Sequence, residues 1–186
     1  MLKKLLLDMA YPTKILPHYT FDDWKLWEGN WELHEGHPIA MSPHAVPRHQ
    51  EVAASLMAEF HTALKACKTC TVYDTLDYKI SEDTIVAPDV LIVCQTINKK
   101  YLDFPPTLVI EILSPSTALR DGHSKFEIYE NQGIKYYLII DAVNNEAENY
   151  ELKDHRYMRV DGPDCIYLFE FDPEGSKARI NFNEIW

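Results

Sequence analysis

Hydrophobic positions recur along this chain with two different periods. Between His49 and Ala66 they fall at Val52, Ala53, Leu56, Met57, Phe60 and Leu64, a three-and-four spacing that predicts the longest helix of the protein, one face apolar and the other solvated. Upstream, Thr20-Phe21-Asp22-Asp23-Trp24 reads as a short capped helix, and the alternation from Trp31 to Met41, broken at Glu35-Gly36, reads as a hairpin. Downstream, strands are predicted at Thr71 to Ile80, Ala87 to Cys94 and Thr107 to Leu113, and Ser114-Pro115-Ser116 stops the last of them. A second helix fits Asp121 to Gln132, with Gly133 just past its end. The unbroken apolar run Tyr136 to Ile140 predicts a buried central strand, followed by strands around Asn149 to Val160 and Ile166 to Phe171. Helix, strands, helix, strands describes an α/β protein with a mixed sheet. No repeat or low-complexity linker interrupts residues 1–186, so a single domain is expected.

Composition agrees with a folded globule: 46% of the 186 residues are hydrophobic and 12% aromatic, enough for a core without metals or disulfides. No apolar run approaches the ~20 residues of a membrane span, and Leu5-Leu6-Leu7 meets Asp8 too early for a signal peptide. A cytoplasmic protein with no membrane partner is therefore expected. The net charge of -11 weighs against nucleic-acid binding, because phosphate contacts supply most non-specific affinity. Carboxylates reserved for a metal add to the same total, however. Of four cysteines, Cys67 and Cys70 form a C-x-x-C at the C-terminal end of the predicted helix, away from the N-terminal dipole that lowers a redox thiol's pKa. Cys94 and Cys165 read as small apolar fillers.

Candidate chemistry lies in two acids placed inside apolar runs. Asp89 sits in Val86-Ala87-Pro88-Asp89-Val90-Leu91-Ile92-Val93 and Glu111 in Leu108-Val109-Ile110-Glu111-Ile112-Leu113. A buried carboxylate costs several kcal/mol unless compensated. Strand alternation puts Asp89 on the side of Leu91 and Val93, and Glu111 on the side of Val109 and Leu113. If the two strands pair, both acids and the Ile112 carbonyl can meet one cation. Such hard oxygen donors suit Mg²⁺ or Mn²⁺. The plainer reading of each acid alone is a salt-bridged structural residue. His49 opens the apolar stripe of the long helix and points inward, Ser114 and Ser116 suit either a turn or a phosphate, and Asp141 closes the central strand as a cap or an outlying acid.

An ordered set of motifs then resembles a known family. Glu32-Leu33-His34-Glu35-Gly36, Met41-Ser42-Pro43, His49-Gln50, Pro88-Asp89, Glu111 through Thr117, Arg120-Asp121, Lys125, Tyr129, Gly133 and Tyr136 through Asp141 resemble the Uma-type putative restriction endonucleases, over about residues 20 to 160. That family belongs to the PD-(D/E)xK nuclease superfamily. The resemblance implies a restriction-endonuclease-like core, a central mixed sheet flanked by helices, and a Mg²⁺- or Mn²⁺-dependent endonuclease acting on DNA and leaving 5′-phosphate and 3′-hydroxyl ends. Asp89, Glu111 and Ile112 would bind the metal. The superfamily's lysine two residues beyond the second acid is Leu113 here, and the resemblance moves the cation to Lys125 on the following helix. Asp121, Lys125 and Tyr129 share one helical face at i, i+4 spacing. Glu32, a surface acid by spacing alone, becomes by resemblance the upstream acid that helps close the site. His49, Ser114, Asp121 and Tyr129 would lie at its edge.

Three positions in two motifs depart from the family pattern: Lys135-Tyr136-Tyr137 replaces an acid followed by Tyr-Trp, and His34 replaces an aliphatic residue. The rival reading is a catalytically inactive nuclease fold that binds nucleic acid or a protein partner, supported by the charge and by Leu113. A phosphoesterase acting on a small substrate would also explain the acids. A homodimer would serve an enzyme that must cut two strands.

Overall fold

The computed structural model describes residues 16–41, 46–113, 121–171 and 176–186, for residues 121–124 the backbone only. Among them, strands β3 (Thr71–Asp74), β6 (Val90–Val93), β7 (Leu108–Leu113), β8 (Tyr136–Asp141), β9 (Glu146–Lys153) and β10 (Arg156–Arg159) form a six-stranded sheet in the order β10-β9-β8-β7-β6-β3. β7 and β8 are parallel and joined through helix α3 (Asp121–Asn131), while the other neighbours are antiparallel. The sheet is mixed, as the element order predicts. β8, which carries the unbroken apolar run Tyr136 to Ile140, lies at its interior.

Each face of this sheet has its own cover. Leu108, Ile110, Ile112, Leu138 and Ile140 pack against helix α2 (Pro47–Ala63) through Val52, Leu56 and Phe60. The same layer includes the hairpin of β11 (Ile166–Glu170) and β12 (Lys177–Asn181). Residues of the opposite parity, Leu91, Val93, Val109 and Tyr137, pack with Tyr129 of α3 and Ile134. The predicted sharing of a face by Leu91, Val93 and Val109 therefore holds.

A smaller sheet in the order β2-β1-β5-β4 stands beside the large one. It contains β1 (Trp31–His34), β2 (His37–Ala40), β4 (Tyr78–Lys79) and β5 (Ile85–Val86), with helix α1 (Phe21–Trp24) packing Phe21 on Leu33 and Ile85. The β1-β2 turn is Glu35-Gly36, both residues at positive φ, as a type I′ hairpin turn requires and as only glycine adopts freely.

Several predicted strands are divided. The span Thr71 to Ile80 splits into β3 and β4, which belong to different sheets, and Ala87 to Cys94 is cut back to β6 because the chain crosses between sheets at Ala87-Pro88-Asp89. Proline offers no N–H to continue either ladder. Asp89 thus stands at the entrance of β6, not within a strand. Asn149 to Val160 is a hairpin, β9 to β10, turning through Asp154 and His155 at positive φ. The apolar filler assigned to Cys94 is also corrected: β3 and β6 pair with Thr71 opposite Val93, so Cys70 and Cys94 are neighbours across the ladder and form a disulfide. Cys165 is exposed.

Candidate active site

The crossing at Pro88 builds the first half of the site. β6 and β7 pair as far as Val90 opposite Ile110, so β7 runs on past the start of β6 and the Ile112 N–H has no strand partner there. Asp89 Oδ2 accepts that N–H at 2.7 Å. His49, from the first turns of α2, brings Nε2 to 3.3 Å from the same oxygen. The Asp89 carboxylate raises the imidazole pKa against the opposing effect of burial, and a hydrogen bond to the Ile112 backbone adds to the rise. A hydrogen bond that favours the charged form of the ring is one the ring donates, so its partner there is the Ile112 carbonyl. The inward direction read for His49 is borne out, and its contacts are polar.

The second half lies on the α3 face of β7. Glu111 shares the face of Val109 and meets Lys125 and Tyr129, one helical turn apart on α3. Lys125 Nζ donates to both Glu111 oxygens at 3.1 Å and lies 2.8 Å from Glu32 Oε1. Tyr129 donates its hydroxyl to Glu111 Oε1 at 2.6 Å. Glu32 comes from the second position of β1, and there the reading from spacing alone is overturned: it is 1% exposed, not a surface acid. It is buried because β1 pairs with β5, whose exit delivers the Ala87 N–H to Glu32 Oε1 at 2.8 Å. His34 Nε2 donates to Glu32 Oε2 at 3.0 Å, so this departure from the family pattern does touch the site.

With both carboxylates ionised, charge would not balance here. Lys125 is 2% exposed and faces two buried carboxylates, with Asp89 close enough to repel Glu111. Burial works to raise Glu32, but Lys125, His34 and the Ala87 N–H hold it down to about 2. Burial pushes Glu111 up to about 8 against the attraction of Lys125, and repulsion from Asp89 and Glu32 adds to the rise. Burial works to lower Lys125, and Glu111 and Glu32 outweigh it, so the ammonium stays charged. Once ionised, Glu111 is one carboxylate more than the lysine can neutralise, and a divalent cation would compensate it.

No three His, Cys, Asp or Glu side chains among the described residues form a ready metal cage. The donor set still fits Mg²⁺ or Mn²⁺, which take few protein ligands and keep several waters: Asp89, the Ile112 carbonyl beside it, and the undercompensated Glu111. Ser114 lies outside the described residues, as does the Asp121 side chain, although α3 begins at Asp121 as expected. Asp141 is a turn cap: its carboxylate accepts the N–H groups of Val143 and Asn144.

A family model described as Uma2, putative restriction endonuclease, matches residues 20–165. The chain belongs to the Uma2 family. Every residue of the site just described lies inside the matched span, and the β11-β12 hairpin lies outside it. The Uma2 chain is 32% identical over 78 residues to the uncharacterized protein slr1290 of Synechocystis sp., a match that spans about two fifths of either protein (40% and 41%). Its fold is similar to the crystal structure of a putative nuclease belonging to DUF820 from Anabaena variabilis, with a TM-score of 0.72, 17% identity and coverage of 89% of this chain and 96% of that one. The restriction-endonuclease-like fold expected for an Uma2 protein is the one found.

Proposed function

We propose that this protein is a Mg²⁺- or Mn²⁺-dependent endonuclease that hydrolyses phosphodiester bonds in DNA. The carrying observation is Lys125: a helix delivers a buried, charged ammonium 3.1 Å from both oxygens of Glu111, while the strand position the superfamily uses for its lysine holds Leu113. Asp89, Glu111 and the Ile112 carbonyl would hold the metal. A bound divalent cation supplies Lewis acidity toward a phosphoryl oxygen and lowers the pKa of a coordinated water.

The protein's own groups then have separable tasks. Lys125, kept protonated by Glu111 and Glu32, does not accept a proton; it stabilises negative charge developing on the phosphate and helps orient the attacking water. Glu32 is a positioning residue that keeps the ammonium from turning wholly to Glu111, and Ala87 N–H and His34 fix Glu32 in turn. Attack in line with the 3′-oxygen leaves a 5′-phosphate and a 3′-hydroxyl. The test is cleavage of supercoiled and linear DNA with Mg²⁺ or Mn²⁺, with EDTA, and by Glu111→Ala. Cleavage by the wild type alone, and only with metal, is expected. Equal cleavage in EDTA overturns the mechanism, and inactivity with metal present favours the binding-module reading, which the charge of -11 supports.

A further inference from the structure

Beside Asp89 and His49 opens a cleft of about 800 Å³, at the upper end of the range for small-ligand sites. One wall is aromatic: Trp24, Trp27 and Trp31, carried by α1, the turn after it and β1. The rings are fixed. Trp24 donates its indole N–H to the Trp31 carbonyl at 2.7 Å and Trp31 donates to the Glu28 carbonyl at 2.9 Å, so both polar edges are satisfied within the wall. Trp27 stands edge-on to Trp31 at 5.8 Å and to Tyr19 at 5.1 Å. Across the gap α2 presents Ala53 and Ala54, whose small side chains leave the space open.

The polar part of the lining is acidic. Lys25 is the one lysine or arginine among the described lining residues, against Asp74, Asp77 and Asp89. Asp77 is half-buried and its carboxylate has no hydrogen bond or ion pair among the described residues, with burial pushing its pKa up. Such a lining suits the bases of a polynucleotide better than its phosphates. A planar ring stacks on indoles whatever its sequence, and an exocyclic amino group donates to a carboxylate as cytosine N4 does to Asp. Base and phosphate are adjacent in a nucleotide, as the cleft and Asp89 are adjacent here.

We infer that the tryptophan cleft holds an unpaired nucleobase next to the phosphate at Asp89, so that the substrate is single-stranded or locally unpaired DNA. The inference rests on the nuclease reading for the polymer and on the cleft for the base. A paired base must first leave its stack, a cost that an unpaired strand does not meet.

Binding measured in Ca²⁺ separates the two claims, because it needs no turnover. A short single-stranded deoxyoligonucleotide should quench the tryptophan fluorescence of the full chain and bind roughly tenfold or more tightly than its matched duplex. Trp27→Ala takes away one stacking wall and should weaken binding of a labelled single strand by roughly 5- to 150-fold, the scale of one lost base stack. Trp27→Phe keeps a ring there and should weaken it much less. Asp77→Asn should reduce a preference for oligo-dC over oligo-dT. Unchanged single-strand affinity in Trp27→Ala overturns the inference, as does equal affinity of the wild type for duplex and single strand. A wild type that binds single strands through the cleft but cleaves no DNA with Mg²⁺ or Mn²⁺ supports the base pocket and overturns the nuclease reading; cleavage of matched duplex by Trp27→Ala at the wild-type rate does the reverse.

Discussion

The two faces of the six-stranded sheet are made by alternate residues of the same strands, yet they bury opposite kinds of side chain. On the α2 face, Ile110 and Ile112 meet Leu56, Phe60 and Phe169, and the contacts are hydrocarbon and ring. On the α3 face, one residue along, Glu111 meets Lys125 and Tyr129. Hydrophobic transfer stabilises the first face directly. The second costs desolvation of three ionisable groups, which their mutual attraction only partly repays. The apolar layer holds the sheet, and the charged layer, which the proposed cleavage would use, is held at stability's expense.

The largest effects should come from breaking one face at a time. Phe169→Ala, on the apolar face, should cost about 3–5 kcal/mol in denaturant unfolding and leave the cleavage rate per folded molecule unchanged. Lys125→Met should cost a similar ~3–5 kcal/mol, because it strands Glu32 and Glu111 without a cation, and should also lower the cleavage rate by about 10²-fold or more. Loss of rate without loss of stability would show that Lys125 is not the buried counter-ion described. Replacing the whole triad by Glu32→Gln, Lys125→Met and Glu111→Gln should recover much of the stability and none of the rate.

Metal should act on the charged face alone. At about 100 times its Kd, Mg²⁺ should stabilise the wild type and Phe169→Ala by about 2.7 kcal/mol each, read as a rise in melting temperature, and should leave Asp89→Asn unmoved. An equal shift in Asp89→Asn would place the cation elsewhere. Within the same face, His34→Leu restores the aliphatic residue of the family pattern and removes one hydrogen bond to Glu32. A loss of about 1 kcal/mol is expected, with rate lowered only as far as Lys125 is displaced.

The smallest effect concerns the cleft acid. The folded pKa of Asp77 is raised by burial and then by Glu32, so the ionised form is disfavoured in the fold. Stability from this group is full below its unfolded pKa of about 4 and is lost as pH rises through the higher folded value. Asp77→Asn should therefore stabilise the protein at pH 7 by less than about 1 kcal/mol, since solvent screens a half-exposed group, and the gain should vanish below about pH 4. A gain that persists in acid would point to packing instead.

Period alone determined much of this molecule. The stripe from Val52 to Leu64 specified α2, Tyr136 to Ile140 the interior strand, and Glu35-Gly36 the hairpin turn, because each depends on neighbours within a few residues. The motif order carried Asp89, Glu111, Lys125 and Glu32 as a set, and parity placed Glu111 on the face of Val109. Tertiary structure decided the rest. Glu32 reads as a surface acid until β5 pairs with β1 and brings the Ala87 N–H to it across 55 residues of chain. Pro88 shows in the sequence as a break, but only the two sheets show that the break is a crossing, which hands Asp89 to the unpaired N–H of Ile112. The tryptophans, the Ala53-Ala54 wall and Asp77 are legible as residues and not as a cleft. Burial and pairing of distant groups are properties of the assembled layers, and no local pattern encodes them.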